Sequence, residues 1–318
     1  MNSMVLRLIL RRLALGALTL LLVSIAVFLI TNLLPGDAAQ TALGQAATPE
    51  TVAALRHQFG LDLPLPLRYA NWLSGMLSGD PGMSLVNNSP VAQMIAGRLP
   101  SSLLLAGVTA AVSVPIALLL GIASAMYRGS LLDRCVNVGA VMMVSVPEFL
   151  VATIAVMIFA VKLRWLSALS HTSDINGIAD FLKAYAMPVM TLCCVIVAQM
   201  ARMTRAAVID QLRAPYVEMA LLKGASSTRI VLRHALPNAV GPIANAVAMS
   251  LSYLLGGVII VESIFNYPGI STLMVDAVTT RDMPLVQACA MIFCAGYLLL
   301  VLVADLLAII SNPRLRNR

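Results

Sequence analysis

The sequence predicts an all-α protein, a polytopic membrane helical bundle with six transmembrane helices. The chain has 318 residues, of which 60% are hydrophobic and only 11% are charged, whereas soluble proteins carry about 25% charged residues. So few charged side chains cannot cover the surface of one or two soluble domains. The same composition excludes intrinsic disorder, which requires low hydrophobicity and high charge. Most of the chain is therefore expected to lie in lipid.

Apolar stretches long enough to cross a membrane occur six times along the chain. A bilayer core of about 30 Å requires roughly 20 helical residues. Five stretches contain no charged residue, and the sixth, 135–161, is interrupted only by Glu148. Pro115 and Pro147 lie within two of these spans, where each proline removes a helical hydrogen bond and is expected to kink its helix. The uncharged stretches are 13–36, 99–127, 184–201, 235–261 and 285–304.

The first apolar stretch is predicted to be a retained helix. Three Arg residues precede it, as in a signal peptide. Its 24 residues exceed the roughly 7–15 residues of a signal-peptide apolar region. It also ends in Leu34-Pro35-Gly36-Asp37 instead of a small-residue cleavage site.

The Lys and Arg residues predict that both termini lie in the cytoplasm, because cytoplasmic loops carry the excess of these residues. In that orientation, 14 of the 21 Lys and Arg residues flank cytoplasmic ends of the spans and 7 lie outside. We therefore interpret the net charge of +7 as the result of Lys and Arg residues that orient the chain in the membrane. The Lys and Arg residues form no basic face interleaved with aromatic residues, so no nucleic-acid partner is expected. The cytoplasmic set comprises Arg7, Arg11, Arg12, Arg128, Arg134, Arg202, Arg205, Arg213, Lys223, Arg229, Arg233, Arg314, Arg316 and Arg318.

Residues 37–98 form the largest segment predicted outside the membrane, on its extracytoplasmic side. Their capping signals predict short helices, because Thr48 precedes a proline at the first helical position. Two interpretations of these helices remain open. They either lie on the outer membrane interface, with Tyr69 and Trp72 in the aromatic belt, or form a docking surface for an extracytoplasmic partner. The helices are expected from Pro49 to Gly60, from Pro66 to Leu77, and from Ser89-Pro90 through Val91, Met94 and Ile95.

No linker, fixed-period repeat or low-complexity tract divides the sequence. Residues 1–318 are therefore expected to form a single transmembrane domain. Within it, 1–36 provide the first helix, 37–98 the exported loop with short helices, and 99–318 a core of five further helices with a cytoplasmic loop at 210–237.

The loop at 210–237, called the elbow below, is the most informative segment. Pro215 is placed to begin a first short helix, and Gly224 to end it. Thr228 is placed to cap a second short helix, which Pro237 ends. Such a helix–glycine–helix arrangement projecting from the membrane favours a surface that a partner protein binds. The alternative is an interfacial loop whose basic face contacts anionic lipid.

The elbow resembles the EAA loop of ABC importer permeases. That motif reads Glu-Ala-Ala, three residues, Gly, nine residues, Ile, one residue, then Leu-Pro. This sequence differs from it at two positions, since Met219 replaces the first Ala and His234 stands where the general motif has Ile. The matching residues, at the same spacing, are Glu218, Ala220, Gly224, Leu236 and Pro237.

Further stretches are similar to the dipeptide, oligopeptide and nickel branch of this family, in its B-type subunit. The resemblance therefore covers nearly the whole chain. These stretches are Lys223-Gly224, 233–238, Leu34-Pro35-Gly36-Asp37, Arg98-Leu99-Pro100, Phe265 with Tyr267-Pro268-Gly269, Arg281-Asp282 with Pro284 and Gln287, and Asn312-Pro313-Arg314.

The resemblance implies a type I ABC importer permease fold in the bacterial cytoplasmic (inner) membrane. It implies assembly with a second homologous permease subunit, two cytoplasmic ATPase subunits and an extracytoplasmic substrate-binding protein. The expected cargo is a di- or oligopeptide or a related small solute, with nickel or another non-peptide solute as the alternative. A secondary transporter is less favoured, because such chains usually show two related halves.

The chain is not expected to be an enzyme. It contains no Gly-x-x-x-x-Gly-Lys-Ser/Thr run, the motif whose backbone cradles nucleotide phosphates. ATP and Mg are therefore expected on the partner ATPases, and no cofactor is expected on this chain.

The resemblance implies an ATPase-coupling role for residues of the elbow. Gly224 is expected to provide a left-handed turn. Glu218 is expected near a helix N-terminus or beside an Arg, and Ala220 is expected to leave room for close approach. The implied coupling residues are Glu218, Ala220, Lys223, Gly224, His234, Leu236 and Pro237.

Two carboxylates are candidates for the translocation path. Glu148 lies in the middle of the third span, where a charge costs roughly 2.5–3.5 kcal/mol and requires a partner. It either lines the passage and meets a substrate amine, or is neutral or hydrogen-bonded to a neighbouring helix. Glu262 is either an interfacial residue near an outer gate or a ligand. Asp305 is expected to pair with an Arg, such as Arg202 or Arg205.

No metal site is expected. His57 and His171 are isolated in the sequence. The five cysteines lack the paired spacing of a zinc site or a disulfide framework and are interpreted as buried thiols, with a soft-metal contact at Cys193 and Cys194 as the alternative.

Overall fold

The structure is a computed structural model that describes residues 3–33, 48–58, 60, 62–170 and 177–310. These residues are almost entirely helical, which confirms the predicted all-α class. Apart from an isolated bridge between Met83 and Pro90, no strand occurs in this part of the chain. The helices are α1 (Ser3–Leu33), α2 (Pro49–Gln58), α3 (Leu65–Ser78), α4 (Val91–Met126), α5 (Leu131–Ser145), α6 (Glu148–Ala155), α7 (Ile178–Leu212), α8 (Pro215–Leu222), α9 (Ser227–Ile230), α10 (Leu236–Ile264), α11 (Ile270–Thr280) and α12 (Met283–Ile310).

Two π-helical segments extend these helices. Val156–Lys162 continues α6, and Val231–Ala235 joins α9 to α10. A π-helical turn inserts an extra residue into a helix without ending it. As a result, Ser227–Ile264 forms one continuous helix.

Five helices of the described chain are long and apolar enough to cross a membrane, at Arg7–Leu33, Val91–Met126, Ile178–Leu212, Ser227–Ile264 and Met283–Leu307. The third predicted span differs from a straight helix, because α5 and α6 meet at a bend of 100°. Val146 is extended there (φ −95°, ψ 126°), as sterics require of a residue before a proline. The count reaches the predicted six if this bent pair is one span. At Pro115, by contrast, α4 continues unbroken.

The chain divides into two compact units. The first comprises Met1–Ala14, Leu104–Tyr267 and Tyr297–Arg318. Its largest core contains buried residues of α4, α6, α7 and α10. Helices α4 and α7 approach closely at Gly121, where an added Cβ would lie 2.7 Å from the Ala201 carbonyl oxygen and 2.7 Å from Thr204 Cβ.

The second unit comprises Leu15–Leu103 and Pro268–Gly296. The predicted short helices appear in it as α2 and α3, and Thr48 caps α2 by accepting a hydrogen bond from the Thr51 N–H at 3.3 Å. The third predicted short helix is wrong as a separate element, because Pro90 leads directly into the long helix α4.

The aromatic residues of α3 pack against α1. The rings of Tyr69 and Trp72 lie 5.3 and 5.7 Å from that of Phe28, centroid to centroid. The Tyr69 hydroxyl is also hydrogen-bonded to the Ser24 hydroxyl at 2.7 Å. These two aromatic side chains therefore hold α3 on α1.

Candidate functional site

The elbow begins as the proline pattern predicts. Ala214 is extended (φ −73°, ψ 145°), and Pro215 opens α8. Proline is suited to this position because its φ is already helical and no intrahelical acceptor exists for its missing N–H. Glu218 lies in the first turn of α8, where the helix dipole stabilises a negative charge.

Gly224 forms the turn that ends α8. Its φ of +78° is left-handed, which confirms the expected use of glycine here. The Gly224 N–H donates to the Leu221 carbonyl at 2.9 Å, and the Ala225 N–H donates to the Ala220 carbonyl at 3.2 Å. These two bonds define a Schellman motif, which satisfies the carbonyls at a helix end. The direction of the chain at the elbow is therefore fixed by backbone hydrogen bonds.

The second half of the elbow departs from the prediction at both ends. Ser226, and not Thr228, caps α9, since the Ser226 hydroxyl oxygen accepts from the Arg229 N–H at 3.4 Å. Pro237 does not end the helix. It follows the π-helical segment, within the first two residues of α10, so its missing N–H falls at the junction between the π-helical and α-helical segments of one continuous helix.

A small apolar core joins the two halves of the elbow. Val217, Ala220 and Ile230 are buried together, with Leu212 and Ala225 packed against them. Ala220, which was expected to leave room for close approach, is buried in this core between the two halves of the elbow. This core makes the elbow a packed unit instead of a loose loop.

The outer surface of the elbow exposes large apolar side chains. Met219, Leu221 and Leu222 are 56%, 60% and 77% exposed, and Tyr216 and Leu232 are exposed as well. Several large apolar side chains exposed within one short segment outside the apolar spans are typical of an interaction site. We call Met219, Leu221 and Leu222 the elbow patch.

The remaining predicted coupling residues are distributed around the elbow. Glu218, Lys223 and Pro237 are exposed, while His234 and Leu236 are partly buried. Among the ion pairs recorded between described residues, none includes Glu218. The His234 carbonyl accepts a hydrogen bond from the Asn238 side chain at 2.8 Å.

Sequence reasoning missed a polar cluster at the start of α5. The Asp133 carboxylate is buried and accepts hydrogen bonds from the Ser124 hydroxyl, the Gly129 N–H at 2.9 Å and the Asn137 side chain at 2.7 Å. The Asp133 N–H in turn donates to Ser130, the N-cap of α5, at 3.2 Å. The spacing of Ser130 and Asp133 is similar to that of a capping box. This spacing was the signal in the sequence that could have indicated the cluster.

The ion pairs also differ from the prediction for Asp305. Arg205 pairs with Asp133, and Asp305 pairs with Arg12 at 2.7 Å. Asp305 therefore pairs with an Arg, as expected, but with Arg12 instead of Arg202 or Arg205. The pairing depends on which helices are neighbours, and the linear sequence does not specify this.

Glu148 lies at the bend between α5 and α6. It is half-buried, and its carboxylate lies against Gly257 of α10. A Cβ added to Gly257 would be 2.7 and 2.9 Å from the two carboxylate oxygens. No hydrogen bond or ion pair recorded between described residues includes Glu148.

Glu262 lies near the end of α10 and is fully buried, at 0% exposure. The Glu262 carbonyl accepts from the Tyr267 N–H at 2.9 Å, and the Tyr267 and Tyr185 hydroxyls are hydrogen-bonded at 2.9 Å. Tyr267 follows the end of α10, and its burial together with the bond to Tyr185 raises the pKa of the Tyr267 phenol. Glu262 is thus part of a packed helix end.

No group of three or more His, Cys, Asp or Glu residues among those described could hold a metal ion. The cysteines at 135, 193, 194, 289 and 294 are free thiols. His171 lies outside the described residues.

Comparison with known proteins gives matches along nearly the whole chain. Residues 117–317 match the family described as binding-protein-dependent transport system inner membrane component, and residues 5–106 match the N-terminal family of the same systems. A probable peptide ABC transporter permease protein, y4tP of Sinorhizobium fredii, is 35% identical over 308 residues, covering 97% of this chain and 98% of the relative. The glutathione transport system permease proteins GsiC of Salmonella typhimurium and Pectobacterium atrosepticum are each 37% identical over 300 residues, covering 94% of this chain and 95% of the relative.

Proposed function

The chain belongs to the family of binding-protein-dependent transport system inner membrane components, and from this premise we propose that it forms the translocation path for short peptides. The family has the type I ABC importer permease fold, and the chain is a permease subunit in a membrane. In the proposed system an extracytoplasmic binding protein delivers the peptide, a second homologous permease completes the path, and two ATPases supply the energy.

The names of the relatives support the class of cargo. One is named a peptide permease and the others glutathione permeases, and glutathione is itself a tripeptide. A short peptide is the chemistry that these names share. We therefore propose a di- or oligopeptide, glutathione included, as the transported solute.

The elbow carries the proposed coupling to the ATPases. Its backbone is fixed by the Schellman turn at Gly224, its halves share a core, and the elbow patch is exposed. A short helix that presents apolar side chains is suited to a groove on a partner protein. If the ATPases close on ATP, a packed elbow held in such a groove moves the attached helices α7 and α10 with them.

The orientation of the chain belongs to the same proposal. The excess of Lys and Arg residues supports a cytoplasmic position of both termini and the elbow, in the compartment of ATP. In this orientation ATP and Mg bind to the partner ATPases. The present chain contributes the path and the elbow, without hydrolysing ATP itself.

Reconstitution of the complete system tests the proposed function. The chain would be purified with its second permease and ATPases, reconstituted into proteoliposomes, and supplied with binding protein, ATP and radiolabelled trialanine or glutathione. We expect vectorial uptake that requires ATP and every subunit. Uptake by this chain alone, or uptake driven by an ion gradient without ATP, would contradict the proposal.

A further inference from the structure

We propose that Glu148 is a pathway carboxylate that attracts the protonated amine of the transported solute at the bend between α5 and α6. This inference rests on the proposed function, because it assigns to the path a specific group and a specific part of the cargo. It concerns a selectivity contact within the membrane, beyond delivery by the binding protein.

The bend places Glu148 where a membrane helix is interrupted. Val146 is extended and Glu148 is the first residue of α6, after a change of direction of 100°. Interrupted backbone at membrane depth is tolerated only where it is buried in protein or lines a water-filled cavity. Val144 and Phe149 on either side of the bend are exposed in this chain. The bend is therefore suited to the wall of a passage.

The absence of a side chain at Gly257 of α10 leaves room for the Glu148 carboxylate. Its two oxygens occupy the space beside Gly257, at 2.9 Å and 2.7 Å from where a Cβ would stand. Tyr253 and Ile260 lie one turn before and one turn after Gly257 on that helix, and both are exposed. Residues at this spacing share a helix face. Gly257 itself is buried, as are Leu254 and Val261, so the carboxylate lies at the border between the exposed and the buried faces of α10.

The charge of this carboxylate has no counter-ion recorded within the described chain. The ion pairs Arg12–Asp305 and Arg205–Asp133 involve other acidic residues. A carboxylate in the first turn of a helix, as Glu148 is in α6, is stabilised as an anion by the helix dipole. Intramembrane carboxylates generally pair with a cation or mark a substrate path. Peptides supply such a cation, since an α-amine has a pKa of about 7.7–8.0 and is largely protonated at neutral pH.

The other interpretation of Glu148 was a carboxyl group that is neutral or hydrogen-bonded to a neighbouring helix. The neutral variant Glu148→Gln tests the first possibility, and the second requires a donor close to the carboxylate. The nearest backbone on α10 is at Gly257, within a helix, where amide groups are already bonded to the preceding turn. The geometry therefore favours a mobile donor, the cargo.

A comparison of peptide uptake by two variants of Glu148 tests the inference. Glu148→Gln keeps the size of the side chain and removes its charge, whereas Glu148→Asp keeps the charge and shortens the side chain. Each variant would be measured in the complete transporter for trialanine uptake at saturating binding protein, for ATPase stimulation by binding protein and for complex abundance. We expect Glu148→Gln to lower uptake about tenfold, the effect of losing one charged hydrogen bond, and Glu148→Asp to retain most of it, both with normal ATPase stimulation.

A packing role predicts the reverse order, because Gln fills the same volume as Glu. Uptake by Glu148→Gln within about twofold of wild type, or a greater loss with Asp than with Gln, overturns the inference. Asp180→Asn, a charge change at the exposed start of α7, is the matched control and should leave uptake unchanged. Absence of peptide uptake by the wild-type complex overturns the proposed function instead, so the two failures are distinguishable.

Discussion

Arg205 binds the Asp133 carboxylate with two hydrogen bonds, from Nε to Oδ1 at 2.7 Å and from Nη2 to Oδ2 at 3.0 Å. The pair joins α7 to the first turn of α5, and Asp133 is only 5% exposed. Ser124, Gly129 and Asn137 satisfy the same carboxylate. This cluster fixes the turn between α4 and α5 to α7, the helix that leads into the elbow.

Removing one member of this pair should destabilise the protein. Asp133→Ala leaves Arg205 without its buried partner, and breaking a buried ion pair in this way costs about 3–5 kcal/mol. We expect a clear fall in the unfolding temperature of the detergent-solubilised protein. Arg12→Ala is the control, because Arg12 is 51% exposed and exposed pairs contribute less than about 1 kcal/mol. Equal unfolding temperatures for the two variants would show that the Asp133 cluster has no special role.

Gly224→Val should uncouple ATP hydrolysis from transport. A Cβ at Gly224 would meet nothing within 4 Å, but the φ of +78° is unfavourable for a β-branched residue. The left-handed conformation costs about 1–2 kcal/mol, so the turn is expected to change direction while membrane insertion is retained. Uptake and ATPase activity of the assembled complex measure this effect.

Gly224→Asn is the matched control, because Asn tolerates the left-handed region and should preserve coupling. Full transport by Gly224→Val would contradict the coupling role. The elbow would then be an interfacial contact with lipid.

Glu218→Lys should weaken binding of the ATPases without unfolding the chain. Glu218 is exposed in the first turn of α8, where reversing the charge costs the helix about 0.3–1 kcal/mol. That loss is too small to unfold α8, so a fall in the amount of co-purified ATPase would report on the interface. Glu218→Asp keeps the charge and should behave like wild type. Unchanged ATPase recovery with Lys would exclude a contact at this position.

The elbow patch should contribute to the same interface. Leu222 is the most exposed of its three residues, and Leu222→Ser should change the free energy of unfolding by no more than about 0.5 kcal/mol. We expect weaker recovery of ATPase and lower uptake, measured by affinity purification and transport. Leu131→Ser, at an equally exposed leucine outside the elbow, is the control. An equal effect of both substitutions would indicate a general effect of lost apolar surface.

Local chemistry made much of the elbow predictable. Pro215 and Gly224 act through their own backbone, so the start of α8 and its left-handed end followed from residue type alone. The second half was less predictable, because Ser226 and Thr228 are both competent caps. The helix through Pro237 depends on the π-helical turn before it, which residue type does not indicate. Predictions at Leu34-Pro35-Gly36-Asp37, His171 and Asn312-Pro313-Arg314 lie outside the described residues.

The sequence by itself determined that most of this protein lies in lipid and which of its helices can cross a membrane. Lipid offers no hydrogen bonds, and a long apolar helix satisfies its backbone groups within its own segment. Tertiary structure alone decided which helix faces meet. An apolar helix is similar on every side, so its sequence does not mark the face that packs. Only the folded chain therefore pairs Arg205 with Asp133, residues 72 positions apart, and places the Glu148 carboxylate against Gly257.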